Sequence, residues 1–443
     1  MKRTTTFLLA GFCCLATYAQ SNTNPTTVHL KGQLVEMGTT EVPMRYDGAS
    51  SLLGNSRDIL LHTDSEGRFD TIVTIKEPAY YDICRNTLYL TPGDDMTIRI
   101  TQSNKEAVFE GKGAEANNYM KYRLFPKGGS YLEAGSNLRG SFEDTKQCID
   151  SLAAIRQHQL DGLNNVSETF KKLETARILA DVANSYICYA SYARVADYKA
   201  FASQISSDVQ PIFAKLNQDA YLDVAVVRDI LGYAFTPMKD KWAKDIVFSP
   251  LICELYQTAE WMEKLNSEIT PQLVDSVEQY ASTMKNAEFK AEVKAKLAQS
   301  GKLLPGRPAF DIEMKDATGN TLHLSDLKGK VLYVDLWATW CGPCKQESPY
   351  FEQLAEEYAG KAITFVPIST DTNKKAWQAY LTHNKKSLKQ YNSVDPALSA
   401  QWEIYYIPRF LLIDKDFNIV DAYAPRPSEK EKIKTLIDNL LAQ

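Results

Sequence analysis

Val334-Asp335-Leu336-Trp337-Ala338-Thr339-Trp340-Cys341-Gly342-Pro343-Cys344-Lys345 is the stretch whose reading decides the fold of this chain. Residues 331–337 form an apolar run of strand length broken by one carboxylate, Asp335, which predicts a strand buried on both faces. A helical pattern leaves the cysteines. Pro343 suits its first turn, because the N–H that proline lacks would have had no intrahelical partner there. Cys341 thus falls at a helix N-terminus, where unpaired N–H groups and the helix dipole stabilise a thiolate and lower the thiol pKa. Cys341 is the predicted nucleophile. Cys344, one turn in, is more shielded and reads as the resolving thiol.

Cys-x-x-Cys spacing also supplies metal ligands and haem attachment. Lys345 stands where haem attachment needs His, and no second Cys pair or His pair lies nearby to complete a zinc site. Neither a metal nor a cofactor is expected.

The quoted stretch resembles the active-site strand and helix start of thioredoxins. Leu324-Ser325-Asp326-Leu327-Lys328-Gly329-Lys330 ahead of the strand, and Glu347-Ser348-Pro349 after the cysteines, resemble the exported TlpA/ResA-like branch. The likeness covers about the last third of the chain, a usual single-domain length. It implies a C-terminal α/β thioredoxin-like fold and a protein-disulfide reductase with a redox-active Cys341–Cys344 disulfide. Position by position, Asp335 matches the buried aspartate that assists deprotonation of the resolving Cys, and burial would raise its pKa. Glu347 matches a glutamate that tunes the cysteines, against a solvated helix surface as the bland alternative. Ile407-Pro408 matches the cis-proline facing the disulfide, and the Ile407 backbone would then pair with an extended substrate beside Cys341. Trp340 would shelter the pair and offer an apolar contact. Gly342-Pro343 is the pair found in reducing thioredoxins. Disulfide-containing client proteins and a membrane thiol-disulfide electron donor are the implied partners.

A chain of 443 residues exceeds what one core usually organises. Residues 28–112 read as β-rich: Val28, Leu30 and Leu34 share one face, and Pro92-Gly93-Asp94-Asp95 is turn chemistry. An antiparallel β-sandwich is expected there. From 113 to 300 the apolar period becomes helical, with Ile149, Leu152, Ile155 and Leu163 on one face and Leu173, Ala176, Ala183, Ile187 and Ala190 on another. An all-α domain follows. Its Tyr186, Tyr189, Tyr192 and Tyr198 could line a groove, though helical spacing favours packing. Pro305-Gly306-Arg307-Pro308 marks the hinge into residues 301–443, where strands and helices alternate. Ser428-x-x-Glu431 is the expected cap of the last helix.

Residues 1–19 read as a signal peptide: Lys2 and Arg3 precede an apolar stretch, and Thr17-Tyr18-Ala19 is a small-residue cleavage site. Residues 20–27 would be a linker. The expected location is the periplasm or cell envelope of a Gram-negative bacterium. With Lys+Arg 50 against Asp+Glu 55 and no basic block, nucleic acid is excluded as a partner. Of 8 cysteines, Cys84, Cys148, Cys188 and Cys253 remain outside the signal and the motif. Three pairings are open to them, with buried inert thiols the favoured reading. The N-terminal regions carry no ligand motif. They would select clients or form a homodimer. The alternatives are a client-binding or envelope-assembly protein with an auxiliary redox domain and, more weakly, a thiol peroxidase.

Overall fold

The structure is a computed structural model and describes residues 26–122 and 129–442. The expected signal peptide lies outside these residues. Two compact units emerge among the described residues, one falling within Met1–Met44, Ile59–Arg123 and Gly162–Glu168, the other within Arg45–Asp58, Leu124–Asp161 and Thr169–Gln443.

The first unit is β-rich. Its strands are β1 (Thr27–Leu34), β2 (Glu41–Tyr46, whose last two residues fall in the second unit), β3 (Ile59–His62), β4 (Arg68–Thr74), β5 (Ala79–Ile83), β6 (Asn86–Leu90), β7 (Asp95–Ile100) and β8 (Val108–Lys112). They form two four-stranded sheets, ordered β4-β1-β7-β8 and β3-β2-β5-β6. Period-two patterning works as expected: Val28, Leu30, Met96, Ile98 and Ile100 are all fully buried. The purely antiparallel expectation is corrected, because β1 runs parallel to β7, from His29 opposite Asp95 to Leu34 opposite Ile100. Alternation of apolar residues sets which face is buried and is silent on strand direction. Gly32 permits this pairing. Its φ is +139°, and a Cβ there would lie 1.8 Å from the Ile98 carbonyl oxygen. The helix Ala114–Met120 belongs to this unit, tied by Asn117, whose amide donates to Tyr89 O at 3.0 Å and accepts from Tyr89 N–H at 2.9 Å.

In the second unit the middle region is helical. Its helices begin where short polar residues precede the apolar run: Ser249, Thr270 and Asn286 each cap with the side chain, and Pro250 and Pro271 open their helices. Leu173, Ala176, Ala183, Ile187 and Ala190 are buried as expected, but Ile155 is 57% exposed. One periodic stripe thus does not bury every member. Tyr186 and Tyr189 pack inside, with Tyr189 stacked on Phe201 at 5.5 Å, while Tyr192 and Tyr198 are exposed.

The C-terminal region of this unit has strands β9 (Glu313–Asp316), β10 (Thr321–His323), β11 (Val331–Trp337), β12 (Ile363–Ser369), β13 (Tyr391–Asn392), β14 (Arg409–Ile413) and β15 (Ile419–Asp421). They make one mixed sheet ordered β10-β9-β13-β12-β11-β14-β15. All seven residues of β11 are buried, and it runs parallel to β12 and antiparallel to β14. On one face Val331 and Tyr333 pack with Phe351, Leu354, Phe365, Phe410 and Leu412, and Ile433 and Ile437 of the last helix cover them. Tyr333 stacks on Phe410 at 5.6 Å, and its hydroxyl donates to Pro425 O at 2.6 Å. These contacts hold the strand that delivers the cysteines.

Two further expectations are corrected. The last helix, Lys430–Leu441, begins after Glu429 with no side-chain cap, because Ser428 is bonded to Glu347 instead. The four cysteines outside the motif are unpaired, yet Cys84 and Cys253 are exposed and Cys148 and Cys188 half-buried, so the apolar neighbours in sequence do not bury them.

Candidate redox site

Cys341 is the N-cap of the helix Gly342–Glu357, its φ and ψ of −83° and 105° marking the switch from strand to helix. Cys341 and Cys344 are joined by a disulfide with Cα atoms 5.3 Å apart. The Cys344 N–H donates to Cys341 Sγ at 3.2 Å, so the sulfur takes the place of the oxygen that usually caps a helix. Both sulfur-bearing residues are nearly buried, packed with Trp337, Ala338 and Trp377. Trp340, by contrast, is 71% exposed, and nothing lies within 4 Å of where a Cβ on Gly342 would stand. The motif therefore meets solvent along its Trp340–Gly342 edge.

The turn before Cys341 is anchored from a neighbouring strand. Thr339 N–H and Oγ1 donate to the Asp371 carboxylate at 2.9 and 2.7 Å, and Ser369 Oγ donates to it at 2.7 Å. Thr370 N–H donates to Trp337 O at 2.8 Å. Asp371 is buried, and these bonds together give the turn one geometry. Sequence reading missed Asp371. Its signal, an acidic residue just past the β12 run, is visible only once β12 is known to pair with β11.

Across from the disulfide, the Ile407-Pro408 peptide bond is cis. The Ile407 carbonyl oxygen lies 3.8 Å from Cys341 Sγ. A groove of about 480 Å³ runs beside this pair, lined among others by Trp340, Val394, Pro396, Ile404, Tyr405 and Ile407. Its size is that of a small-ligand site or a short extended segment. Trp340, Tyr405 and Tyr406 present exposed aromatic surface along it.

Asp335 lies beneath the pair, fully buried on β11, and its Oδ1 has no hydrogen-bond partner. Burial pushes its carboxyl up to about 8, with Lys386 opposing the shift and Glu347 adding to it. A cavity of about 10 Å³, room for one water, is lined by Asp335, Cys344, Ser348, Glu352 and Lys386. Lys386 Nζ donates to Ser348 Oγ at 2.5 Å and pairs with Glu352 at 3.2 Å. Lys386 is the second residue that sequence reading passed over, as it follows a helix end within a run of polar residues. Glu347 is buried rather than on a solvated surface. It accepts from Ser428 N–H at 3.1 Å and Ser428 Oγ at 2.9 Å, and Arg426 approaches to 3.9 Å.

The Redoxin family model matches residues 299–437. ResA, a thiol-disulfide oxidoreductase of Bacillus thuringiensis, is 29% identical over 126 residues, covering 28% of this chain and 72% of its own. The thioredoxin-like protein YneN of Bacillus subtilis is 30% identical over 127 residues, 28% of this chain and 75% of that one. This chain belongs to the ResA/TlpA-like thioredoxin family. A solved structure of a candidate thiol-disulfide oxidoreductase from Bacteroides vulgatus is 65% identical over 31% of this chain and 98% of that chain, with a TM-score of 0.31. The residues matched by the family model, 299–437, hold the disulfide, Asp335 and the cis-proline. Among the described residues no helix is long and apolar enough to cross a membrane.

Proposed function

We propose that this protein is an exported thiol-disulfide oxidoreductase that reduces disulfides of envelope client proteins by dithiol-disulfide exchange. The observation that carries the reading is the Cys341–Cys344 disulfide at a helix N-terminus beside an open, aromatic-walled groove. In the reduced enzyme the Cys341 thiolate attacks one sulfur of a client disulfide. A mixed disulfide forms and the other client sulfur leaves as a thiolate. Cys344, losing its proton to Asp335 through the small cavity they share, then attacks Cys341 Sγ. The client leaves fully reduced and Cys341–Cys344 is oxidised. Two electrons pass from enzyme to client in each round. A carboxyl held near neutral pH can exchange that proton, which is the role assigned to Asp335.

The remaining site residues take supporting roles. Trp340, Gly342 and Pro343 form the exposed edge that a client meets, and Ile407 with Pro408 forms the wall opposite. Glu347, held by Ser428, adds negative charge near Asp335. A membrane thiol-disulfide carrier would return the enzyme to the dithiol form. The signal at residues 1–19 supports export to the periplasm or envelope. Residues 28–112, read as a sandwich of the two sheets, and the helical residues 113–300 would serve client selection or a homodimer.

The test is a Cys344→Ser variant expressed with its signal. Loss of the resolving thiol should leave clients covalently attached through Cys341, seen as bands that collapse on reduction. A variant that accumulates no mixed disulfides would overturn the reductase reading in favour of a binding protein.

A further inference from the structure

We infer that the client site continues out of the thioredoxin-like domain into the helical region, where a second groove takes the neutral or basic polypeptide segment flanking the target cysteine. The inference rests on the reductase reading and deepens it.

Tyr405 and Tyr406 carry the continuity. They line the redox groove on one side, and on the other a groove of about 500 Å³ whose far wall comes from Leu52, Asn55, Ala259, Met262 and Asn266. A client bonded to Cys341 lies along the first groove, so its chain leaves over these two rings, which are 56% and 66% exposed. The second wall awaits it there, with apolar surface from Leu52, Ala259 and Met262 and the amides of Asn55 and Asn266 to pair with main chain.

The shared wall is fixed from the helical side. Glu403, 1% exposed and held at φ +52°, accepts from Lys296 Nζ and Ser300 Oγ, each at 2.8 Å. Gln299 donates to Ala400 O at 2.8 Å, and Lys296 Nζ sits 5.4 Å from the Tyr405 ring centre. These bonds bind the helix Ala287–Ser300 to the segment that ends in Ile407-Pro408. A paired buried charge of this kind sets geometry more than it adds stability.

Charge selects the occupant. The groove's ionisable lining is Glu263, Glu292 and Glu403 against Lys296 alone, and Lys296 is already matched to Glu403. Glu292 is buried against Ser56 Oγ, which leaves Glu263 as the exposed charge at the rim. An acidic flank meets like charge, and a basic one is attracted.

The experiment uses the full chain, oxidised glutathione as a small disulfide, and disulfide-linked peptides whose target cysteine carries flanks of Lys or of Glu. The wild type should favour Lys flanks by about threefold or more in kcat/KM, mostly through KM, and added salt should shrink the gap. Glu263→Lys, an exposed change, should reverse the preference, and Ala259→Trp should raise KM for both peptides. Both variants should reduce oxidised glutathione at the wild-type rate. Turnover without a flank preference, or a preference untouched in Glu263→Lys, overturns the second groove and leaves the reductase reading standing. No turnover of any disulfide overturns both.

Discussion

Replacing Asp335 by Asn should stabilise the oxidised protein, and by more as the pH rises. Asp335 is buried among β11, β12 and β14, and its Oδ1 finds no partner. A carboxyl moved from an ordinary 3.8 to about 8 keeps its proton in the native state where the unfolded chain has released it. Its contribution is fully present below about pH 4 and is lost as the pH climbs to about 8. At about 1.4 kcal/mol for each tenfold, the ceiling is about 6 kcal/mol. Relaxation and water in the cavity beside Cys344 lower the expected effect to about 2–4 kcal/mol between pH 5 and pH 8. Asn has a similar shape and no proton to lose, so its stability should escape this slope. Urea unfolding of oxidised wild type and variant, followed by tryptophan fluorescence at pH 5, 6, 7 and 8, measures the gap directly. It should widen steadily with pH. A gap that stays constant across this range would mean that Asp335 is ionised throughout, and the proton-transfer role proposed for it would fall with the same result.

Two other outcomes follow from the same structure. The reduced Cys341 thiol should titrate below the unperturbed value of about 8.5, since helix N-terminal N–H groups, Cys344 N–H among them, favour the thiolate. Iodoacetamide labelling rates against pH would show this, and a midpoint at or above the free value would refute the nucleophile assignment. Lys296→Met should cost about 3–5 kcal/mol by stranding the buried Glu403 carboxylate, whereas Lys296→Met with Glu403→Gln should recover most of it. Equal losses in the single and double variants, read from thermal unfolding, would show that the pair is not coupled.

How much of the site was legible depended on how far apart its parts lie in the chain. The strand 331–337, the placement of Cys341 at a helix start and the turn of Pro343 all follow from neighbours within a few residues, and the structure has them where sequence puts them. Ile407-Pro408 was legible only through family resemblance, since nothing in its local pattern announces a cis bond. For Asp335 the apolar run around it already pointed to burial and a raised carboxyl, and only its place beneath the cysteines came from the resemblance. Ser428 shows why local patterns mislead: its spacing to Glu431 suits a capping box, yet the buried Glu347 carboxylate, 81 residues away, claims its hydroxyl.

By itself, then, the sequence of this protein determined the redox motif, the order of β-rich, helical and α/β regions, and which strand faces are apolar. These depend on period, turn chemistry and backbone groups left open at a helix end, all of them local. Only the tertiary structure decided the parallel pairing of β1 with β7, the bonds from Asp371 to the Thr339 turn, the lysine facing Asp335, and the Lys296–Glu403 tie behind the cis-proline. Each joins residues tens to a hundred positions apart, and a buried polar group takes whichever partner the packed chain brings within reach.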